Sequence, residues 1–213
     1  LTAPLTIVLA TRNPGKVREL AALLADLPIQ VKSLLDFPEV GPLPEEGDTY
    51  AANAVSKALA VARATGQVAL ADDSGLEVDA LEGAPGVHSS RWLGEHATDA
   101  DRNAAVLARL RDVPPERRTA RFRAVVVIAF PDLTVRTFEG VVGGYIADHP
   151  AGERGFGYDP IFLVPEHGRT MAELGPEIKD KISHRARAVQ SARAYLATLA
   201  HGFADPPTEM LRP

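Results

Sequence analysis

Two long runs of strand-forming residues stand next to each other in the middle of the chain, and they restrict the fold more than any other feature. Residues 120–130 and 134–145 are rich in β-branched and aromatic side chains, and Pro131 and Asp132 separate them. Proline followed by aspartate is typical of a tight turn. The two runs therefore predict a hairpin of two long antiparallel strands.

Shorter strands and helices alternate along the rest of the chain. An apolar run at 5–10 predicts a buried strand. The apolar spacing at 16–26 predicts a helix with Asn13 as its N-cap and Pro14 at its first position. Further strands are predicted at 29–34, 68–71, 76–78 and 161–164, and further helices at 49–64, 98–111, 170–173 and 183–199. We therefore expect an α/β fold with a twisted mixed sheet.

The length and composition limit the domain organisation and the setting. Residues 1–204 are predicted to form one domain, because no linker or repeat divides them, and 205–213 are expected to be a flexible tail. Cysteine is absent, which excludes disulfides, thiolate zinc sites and cysteine nucleophiles. No apolar run reaches about 18 residues, the length of a membrane span, and the first ten residues lack the basic start of a signal peptide. We expect a soluble, cytoplasmic protein with no membrane partner.

The charge balance disfavours nucleic acid as a partner. The chain has 23 Lys and Arg residues against 28 Asp and Glu residues, a formal net charge of −5. Electrostatic binding of a duplex needs a basic face. A small anionic ligand needs only a local basic cluster, so such a ligand stays compatible with this composition.

The segment between the first strand and the first helix is a candidate anion site. Its residues are Thr11, Arg12, Asn13, Pro14, Gly15 and Lys16. A helix N-terminus presents unpaired N–H groups and the positive end of the helix dipole, which together attract phosphate. The segment lacks the G-x-x-x-x-G-K-[ST] pattern of a P-loop. The alternative is that Asn13 and Pro14 simply start a helix.

Two pairs of acidic residues are candidate metal ligands. Asp72 and Asp73 follow an apolar strand at the start of a predicted turn, and Glu45 and Glu46 lie in a loop rich in proline and glycine. Adjacent carboxylates need a cation or a donor cluster to offset their repulsion. Mg²⁺ binds one or two carboxylates together with substrate phosphates. The alternatives are a simple turn at 72–75 and a solvated acidic loop.

The helix after the acidic loop has two polar residues on one face. Asn53 and Lys57 are four residues apart, so their side chains are neighbours. Lys57 is either a phosphate ligand or a lysine whose ammonium group simply reaches solvent.

Two segments in the C-terminal half are candidates for binding a planar group. In residues 155–160 (GFGYDP), glycines flank Phe156, so its ring can stack on a nucleobase while an aspartate or a backbone group reads the base edge. Lys179, Lys181, His184 and Arg185 form a basic run at the predicted start of the last helix. Cations there oppose the helix dipole unless an anion or an electronegative base edge lies nearby. The alternative for residues 155–160 is a turn that buries Phe156, and the alternative for the basic run is a solvated patch.

Other common catalytic centres lack support in the sequence. No pair of histidines has zinc-ligand spacing, and no G-x-S-x-G motif marks a serine nucleophile. The candidate segments instead fit a single kind of ligand, which combines phosphates, a divalent metal ion and a planar base.

Five segments resemble the inosine/xanthosine triphosphate pyrophosphatase family, in that family's order and approximate spacing. They are residues 11–16 (TRNPGK), 71–78 (ADDSGLEV), 83–87 (GAPGV), 155–160 (GFGYDP) and 182–185 (ISHR). The resemblance covers nearly the whole chain. It implies a curved mixed sheet with flanking helices, forming two lobes around a central cleft, and a homodimer. It also implies Mg²⁺-dependent hydrolysis of ITP, dITP and XTP to the monophosphate and pyrophosphate.

The resemblance also implies roles for individual residues. Residues 11–16 and Lys57 match the family's phosphate contacts, and Ser74 matches a neighbouring substrate contact. Asp73 matches the carboxylate that is metal ligand and proton acceptor, and Glu45 matches the second metal ligand. The residues that match the base-binding set are Phe156, Gly157, Tyr158, Asp159, Lys179, His184 and Arg185. One departure concerns the metal shell, because Ala52 stands where the family often has glutamate.

The implied reaction is attack of water on the α-phosphorus, with pyrophosphate as the leaving group. Such a reaction depends on positioning and charge neutralisation. Asp73 is expected to act first as a metal ligand, because a metal-bound carboxylate is a poor base. Arg185, with His184, is expected to donate to a 6-oxo group and thereby reject a 6-amino group. The alternatives are a nucleotide-binding regulator without turnover and a pyrophosphatase for other modified bases, including methylated pyrimidines.

Overall fold

The computed structural model describes residues 4–94 and 96–201, and within them the chain forms an α/β fold around one seven-stranded mixed sheet. The strands are β1 (Leu5–Leu9), β2 (Ile29–Ser33), β3 (Val68–Val78), β4 (Thr119–Ala129), β5 (Val135–Ile146), β6 (Phe162–Val164) and β7 (Arg169–Thr170). The helices are α1 (Pro14–Leu24), α2 (Tyr50–Thr65), α3 (Asp99–Arg109), α4 (Pro176–Ile182) and α5 (His184–Ala200). The predicted fold class is confirmed.

The sheet has the strand order β2-β1-β3-β4-β5-β6-β7. β1 runs parallel to β2 and β3, and every pair from β3 to β7 is antiparallel. β4 and β5 pair from Thr119 opposite Tyr145 to Ala129 opposite Val135. The predicted hairpin of two long strands is therefore confirmed.

The predicted break in the third strand is wrong. Residues 72–75 do not turn, because β3 continues through them and pairs with β4 from Ala69 to Val78. Gly75 has no side chain, which leaves room beside the strand for the carbonyl oxygen of Gly86. A Cβ at position 75 would lie 2.3 Å from that oxygen. The long ladder to β4 overrides the local turn preference of Asp-Ser-Gly.

The alternation of side chains along β3 separates two layers of helices. Ala69 and Ala71 pack in one apolar cluster with α2, and Leu70 packs in another with α1 and α5. Successive side chains of a strand point to opposite faces. The residues that follow on β3 therefore also alternate between α2 and the pair α1 and α5.

A third apolar cluster surrounds the far ends of β3, β4 and β5. It joins side chains of α3, β6 and the segment before α4 to Leu76 and Val78. β3 passes from the first two clusters into the third. β1 ends at Leu9, whereas β3 continues beyond it, so the turn after β1 borders the middle of β3.

Two predictions for the C-terminal half are corrected. Residues 170–173 are not a helix: the side chain of Glu173 accepts a hydrogen bond from Thr170 N at 2.8 Å, as in a capping box, but the chain only turns there. The basic run also does not start one helix, because Lys179 and Lys181 belong to the last turn of α4 and Ser183 caps α5. The predicted tail at 205–213 lies outside the described residues. Within those residues, no helix has the length and hydropathy needed to cross a membrane.

Candidate active site

A cleft of about 400 Å³ opens where β1 ends and β3 continues. Most of the predicted site residues line it: Thr11, Arg12, Asn13, Lys16, Glu45, Lys57, Asp73, Ser74, Phe156, Gly157, Tyr158, Asp159, Lys179, His184 and Arg185. Pro14 and Gly15 belong to the same turn but are not among the residues that line the cleft. The segments that the sequence suggested separately therefore meet in one cavity.

The turn at 11–16 caps α1 and faces the cleft. Asn13 Oδ1 accepts hydrogen bonds from Gly15 N at 2.8 Å and from Lys16 N at 3.1 Å, so the predicted N-cap is confirmed. The expectation that these two N–H groups are unpaired is wrong, because the cap occupies them. An anion at this turn would therefore meet side-chain donors, above all the ammonium group of Lys16.

Arg12 and Gly15 connect this turn to other parts of the cleft. The guanidinium of Arg12 donates to the carbonyl oxygens of Val40 and Gly41, which fixes the loop before α2. A Cβ on Gly15 would lie 2.5 Å from the ring of Phe156. Only glycine at this position lets the ring approach the start of α1 so closely.

Lys57 holds two carboxylates at the α2 side of the cleft. Its Nζ lies 2.8 Å from Asp73 Oδ1 and 2.6 Å from Glu45 Oε1, and Asn53 donates to Asp73 Oδ2 at 3.2 Å. The predicted shared face of Asn53 and Lys57 is confirmed. Burial alone would lower the pKa of Lys57, but the charge of Asp73 raises it above its ordinary value. Burial raises the pKa of Asp73, and the charge of Lys57 offsets part of that effect.

The same pair of carboxylates is the best-placed donor set for a divalent cation. Glu45 and Asp73 converge on one ammonium group, and the Glu45 side chain is 47% exposed at the cleft. Glu46 does not line the cavity. In the described part of the chain no group of three His, Cys, Asp or Glu side chains forms a metal site. The two carboxylates fit Mg²⁺ as a partial shell, which substrate phosphates and water would complete.

Cations and donors compensate Asp72 and Asp73, as expected from their adjacency, and the two carboxylates have different ion-pair partners. Asp72 faces α1 and α5, where Arg185 Nη2 and Lys16 Nζ each lie 2.8 Å from its Oδ2. Burial opposes ionisation of Asp72, but the charges of Arg185 and Lys16 hold its pKa below the ordinary value. Because the strand alternates, each carboxylate has its own cations on its own face of the sheet.

Phe156 stands over two buried cations in the same cleft. The Lys179 Nζ lies 5.2 Å from the ring centroid and the Arg185 guanidinium carbon 5.6 Å. Asp159 Oδ2 accepts from Phe156 N at 3.0 Å and from Lys179 Nζ at 2.5 Å. Asp159 therefore uses Oδ2 to hold its own loop and Lys179, and its predicted role at a base edge stays a prediction.

Glu19, which no sequence motif marked, joins the two cations. Its carboxylate lies 2.7 Å from Lys179 Nζ and 2.5 Å from Arg185 Nη1. Arg185 also donates to Asp72 and to Ser74 Oγ. Most of the Arg185 donors are thus bound within the protein. No local pattern marks Glu19, because its partners lie more than 150 residues further along the chain.

His184 stacks on Phe122, a cleft residue that the sequence analysis also missed. The ring centroids are 4.8 Å apart and the planes are 17° from parallel. Burial, aided by the charge of Arg185, lowers the pKa of His184 well below 6.5, so the ring is neutral. Among the described residues its Nδ1 has no hydrogen-bond partner.

Further lining residues come from the segment after β3 and from α3. They are Val87, Ser89, Ser90, Asp99 and Arg102. Tyr158 donates to the carbonyl oxygen of Ser89 at 2.8 Å, which ties the aromatic loop to this segment. No pattern in the sequence marks Asp99 as a site residue, because an acidic residue in a first helical turn is already explained by the helix dipole.

The fold and the cleft define an α/β protein built to hold a small polyanion that also carries a planar group. Cations, hard oxygen ligands and an aromatic ring over cations line this one cleft. The chain belongs to the Ham1 family, whose sequence model matches residues 7–195.

Named relatives and solved structures agree with this membership. The chain is 54% identical over 183 residues to a dITP/XTP pyrophosphatase of Geobacillus kaustophilus, covering 86% of this chain and 90% of that protein. It is 52% identical over 204 residues to a dITP/XTP pyrophosphatase of Thermus thermophilus, covering 96% and 95%. A HAM1 protein structure from Coxiella burnetii matches with a TM-score of 0.82 at 44% identity, covering 90% of this chain and 98% of that chain.

Proposed function

We propose that this protein hydrolyses non-standard purine nucleoside triphosphates, namely ITP, dITP and XTP, to the monophosphate and pyrophosphate. The observation that supports this most is that Lys16, Asp73 and Phe156 line one cleft. These residues place a cation, a carboxylate and an aromatic ring where a triphosphate, its metal ion and its base would lie. Membership of the Ham1 family and the names of the relatives support the same activity.

The phosphate end of the cleft is formed by lysines on two sides of β3. Lys16 reaches Asp72 from α1, and Lys57 reaches Asp73 from α2. A triphosphate lying across the strand would contact both ammonium groups. They would neutralise the charge that develops on the departing pyrophosphate, which is the main requirement of phosphoryl substitution.

Glu45 and Asp73 would hold Mg²⁺ at this end. When bound, Mg²⁺ supplies charge neutralisation of the phosphate oxygens and lowers the pKa of its water. The oxygen of water forms a bond to the α-phosphorus, and the bond from that phosphorus to the bridging oxygen breaks. Asp73 would orient the attacking water as a metal ligand, since a metal-bound carboxylate is a poor base, and the proton of that water would pass to solvent.

Phe156, His184 and Lys179 are proposed to form the base end. The Phe156 ring offers a face for stacking, and His184, whose buried Nδ1 has no hydrogen-bond partner among the described residues, lines the same cleft. A 6-oxo group accepts hydrogen bonds that a 6-amino group cannot accept, so fixed donors here favour hypoxanthine and xanthine over adenine. Arg185 would contribute mainly by holding Asp72 and Ser74.

The domain organisation, the oligomeric state, the cellular location and the absence of other partners belong to the same proposal. We expect residues 1–204 to act as one domain of two lobes, because β3 runs from the apolar clusters beside α1 and α2 into the cluster beside α3. We expect a homodimer in the cytoplasm, where nucleoside triphosphates are made and consumed. Neither nucleic acid nor a membrane is an expected partner, in keeping with the net charge of −5.

A substrate panel with product analysis tests this function. Purified protein is incubated with ITP, dITP, XTP, ATP, GTP and a methylated pyrimidine triphosphate, with and without Mg²⁺. We expect monophosphate and pyrophosphate from the first three only, and only with Mg²⁺. Binding without turnover would identify a regulator instead, and turnover of the methylated pyrimidine alone would identify a different substrate class.

The variant His184→Phe tests the base end within the same panel. Phenylalanine keeps the ring against Phe122 but removes both ring nitrogens. We expect the ratio of kcat/KM for ITP to that for ATP to fall by about tenfold, the value of one hydrogen bond. An unchanged ratio would assign base selection to other groups.

A further inference from the structure

The loop that holds Phe156 is fixed by α3, a helix that lines the cleft with Asp99 and Arg102 and to which the proposed function gives no role. Asp99 Oδ2 accepts a hydrogen bond from Gly157 N at 2.7 Å. Asn103 Nδ2 donates to Gly157 O at 3.1 Å. Both polar backbone groups of the residue next to Phe156 are thus bound by side chains of one helix.

We propose that Asp99 and Asn103 are positioning residues that set where the Phe156 ring stands and thereby set the affinity for the purine base. This rests on the proposed function, in which Phe156 stacks on the base. Stacking depends on the offset and spacing of the two rings, so a shift of Gly157 would be transmitted to the ring.

The loop needs such external bonds because its own backbone is permissive. Gly155 and Gly157 both have positive φ, at 78° and 64°. Glycine loses more conformational freedom on ordering than any other residue. Hydrogen bonds from α3 restrict the loop at the glycine that follows the ring, while Asp159 restricts it at Phe156 N.

Asp99 is not required as the cap of α3. Thr98 and Asp101 already form a complete capping box, in which Thr98 N donates to Asp101 Oδ2 at 2.8 Å and Asp101 N donates to Thr98 Oγ1 at 3.1 Å. The two oxygens of the Asp99 carboxylate instead accept from different donors. Arg102 Nη2 donates to Oδ1 at 2.6 Å, and Gly157 N donates to Oδ2. Arg102 is itself held by the carbonyl oxygen of Ala97. The carboxylate is therefore oriented toward Gly157.

Three variants separate positioning from stability. Asp99→Ala removes the acceptor for Gly157 N. Asp99→Asn keeps an oxygen that can accept this bond. Asp101→Ala is the matched control, because it weakens the cap of α3 in the same helical turn without touching the loop.

We expect Asp99→Ala to raise the KM for dITP about tenfold with kcat nearly unchanged, because base stacking contributes to substrate and transition state alike. Inhibition by tripolyphosphate, which has no base, should stay at the wild-type level. Asp99→Asn should restore most of the KM, and Asp101→Ala should leave KM unchanged. The rate of backbone amide hydrogen exchange in residues 153–160, measured by mass spectrometry, should rise in Asp99→Ala only.

Several results would overturn this role. If hydrogen exchange of the loop rises in Asp99→Ala while KM stays unchanged, the position of the loop does not matter for binding the base. If KM rises equally in Asp101→Ala, the effect belongs to α3 in general. If the wild type turns over no nucleotide, the proposed function fails separately. Calorimetric binding of IMP then decides: weaker binding in Asp99→Ala alone supports positioning, and no binding to the wild type refutes it.

Discussion

His184 is expected to make the stability of this protein sensitive to mild acid. The ring is 6% exposed and stacked on Phe122. Burial, with the charge of Arg185, lowers its pKa well below 6.5. In the unfolded chain the pKa returns to about 6.5. Below that pH the unfolded state binds a proton that the folded state does not bind.

The sign and size of the effect follow from this difference in proton binding. Because the folded-state pKa is depressed, the contribution of His184 is complete above pH 6.5 and is lost as the pH falls below it. The loss is at most about 1.4 kcal/mol at pH 5.5 and about 2 kcal/mol at pH 5.0, the values for a folded state that binds no proton. For a domain of this size each kcal/mol lowers Tm by about 2–4 °C.

Urea unfolding at pH 7.5, 6.5, 5.5 and 5.0 measures this contribution. His184→Phe keeps an aromatic ring against Phe122 and cannot be protonated, so its unfolding free energy should fall less with acid than that of the wild type. His167→Gln removes an exposed histidine from a surface turn and should follow the wild type. Carboxylates titrate alike in all three proteins, so the difference between the curves isolates His184. Parallel curves for His184→Phe and the wild type would refute the reasoning.

Three further changes test the site and its packing. Asp73→Asn should lower kcat at least about 100-fold, as measured by pyrophosphate release beside the surface variant Asp132→Asn; near-normal turnover would remove Asp73 from the mechanism. Lys57→Met leaves Glu45 and Asp73 without their shared ammonium group, so the unfolding free energy should fall by about 3 kcal/mol and added Mg²⁺ should raise Tm more than in the wild type. Equal Mg²⁺ shifts in calorimetry would exclude this pair as metal ligands. Gly140→Ala would place a Cβ 2.1 Å from the carbonyl oxygen of His184, so overpacking should cost about 1–3 kcal/mol; an unchanged urea midpoint would contradict this close contact.

The elements that were predictable from sequence are those whose signals are local. Asn13 and Pro14 start α1 because capping involves only neighbouring residues. The hairpin of β4 and β5 was predictable from two runs and the turn between them. The course of β3 was not, because what keeps residues 72–75 extended is pairing with β4, some 50 residues further along the chain. A strong local turn preference gave the wrong answer where non-local pairing decides.

The candidate site shows the same division. Motifs marked the segments that meet in the cleft, but they did not indicate which side chains pair with one another. Asp159 looked available to a ligand, yet it binds Lys179 and its own loop. Glu19 had no signal, since its partner Arg185 is 166 residues away. Pairings of this kind depend on tertiary packing, which spacing in a single sequence does not encode.

The placement of Asp72 and Asp73 on successive positions of β3 has a consequence for how the cleft can change shape. Both carboxylates are attached to one strand that is bonded to β4 from Ala69 to Val78. The separation of the backbone positions of Asp72 and Asp73 is therefore set by the sheet, whatever the surrounding loops do. The strand beneath the phosphates would keep its course when a ligand arrives, whereas Lys16, Lys57 and Glu45 would exchange their present ion-pair partners for the ligand.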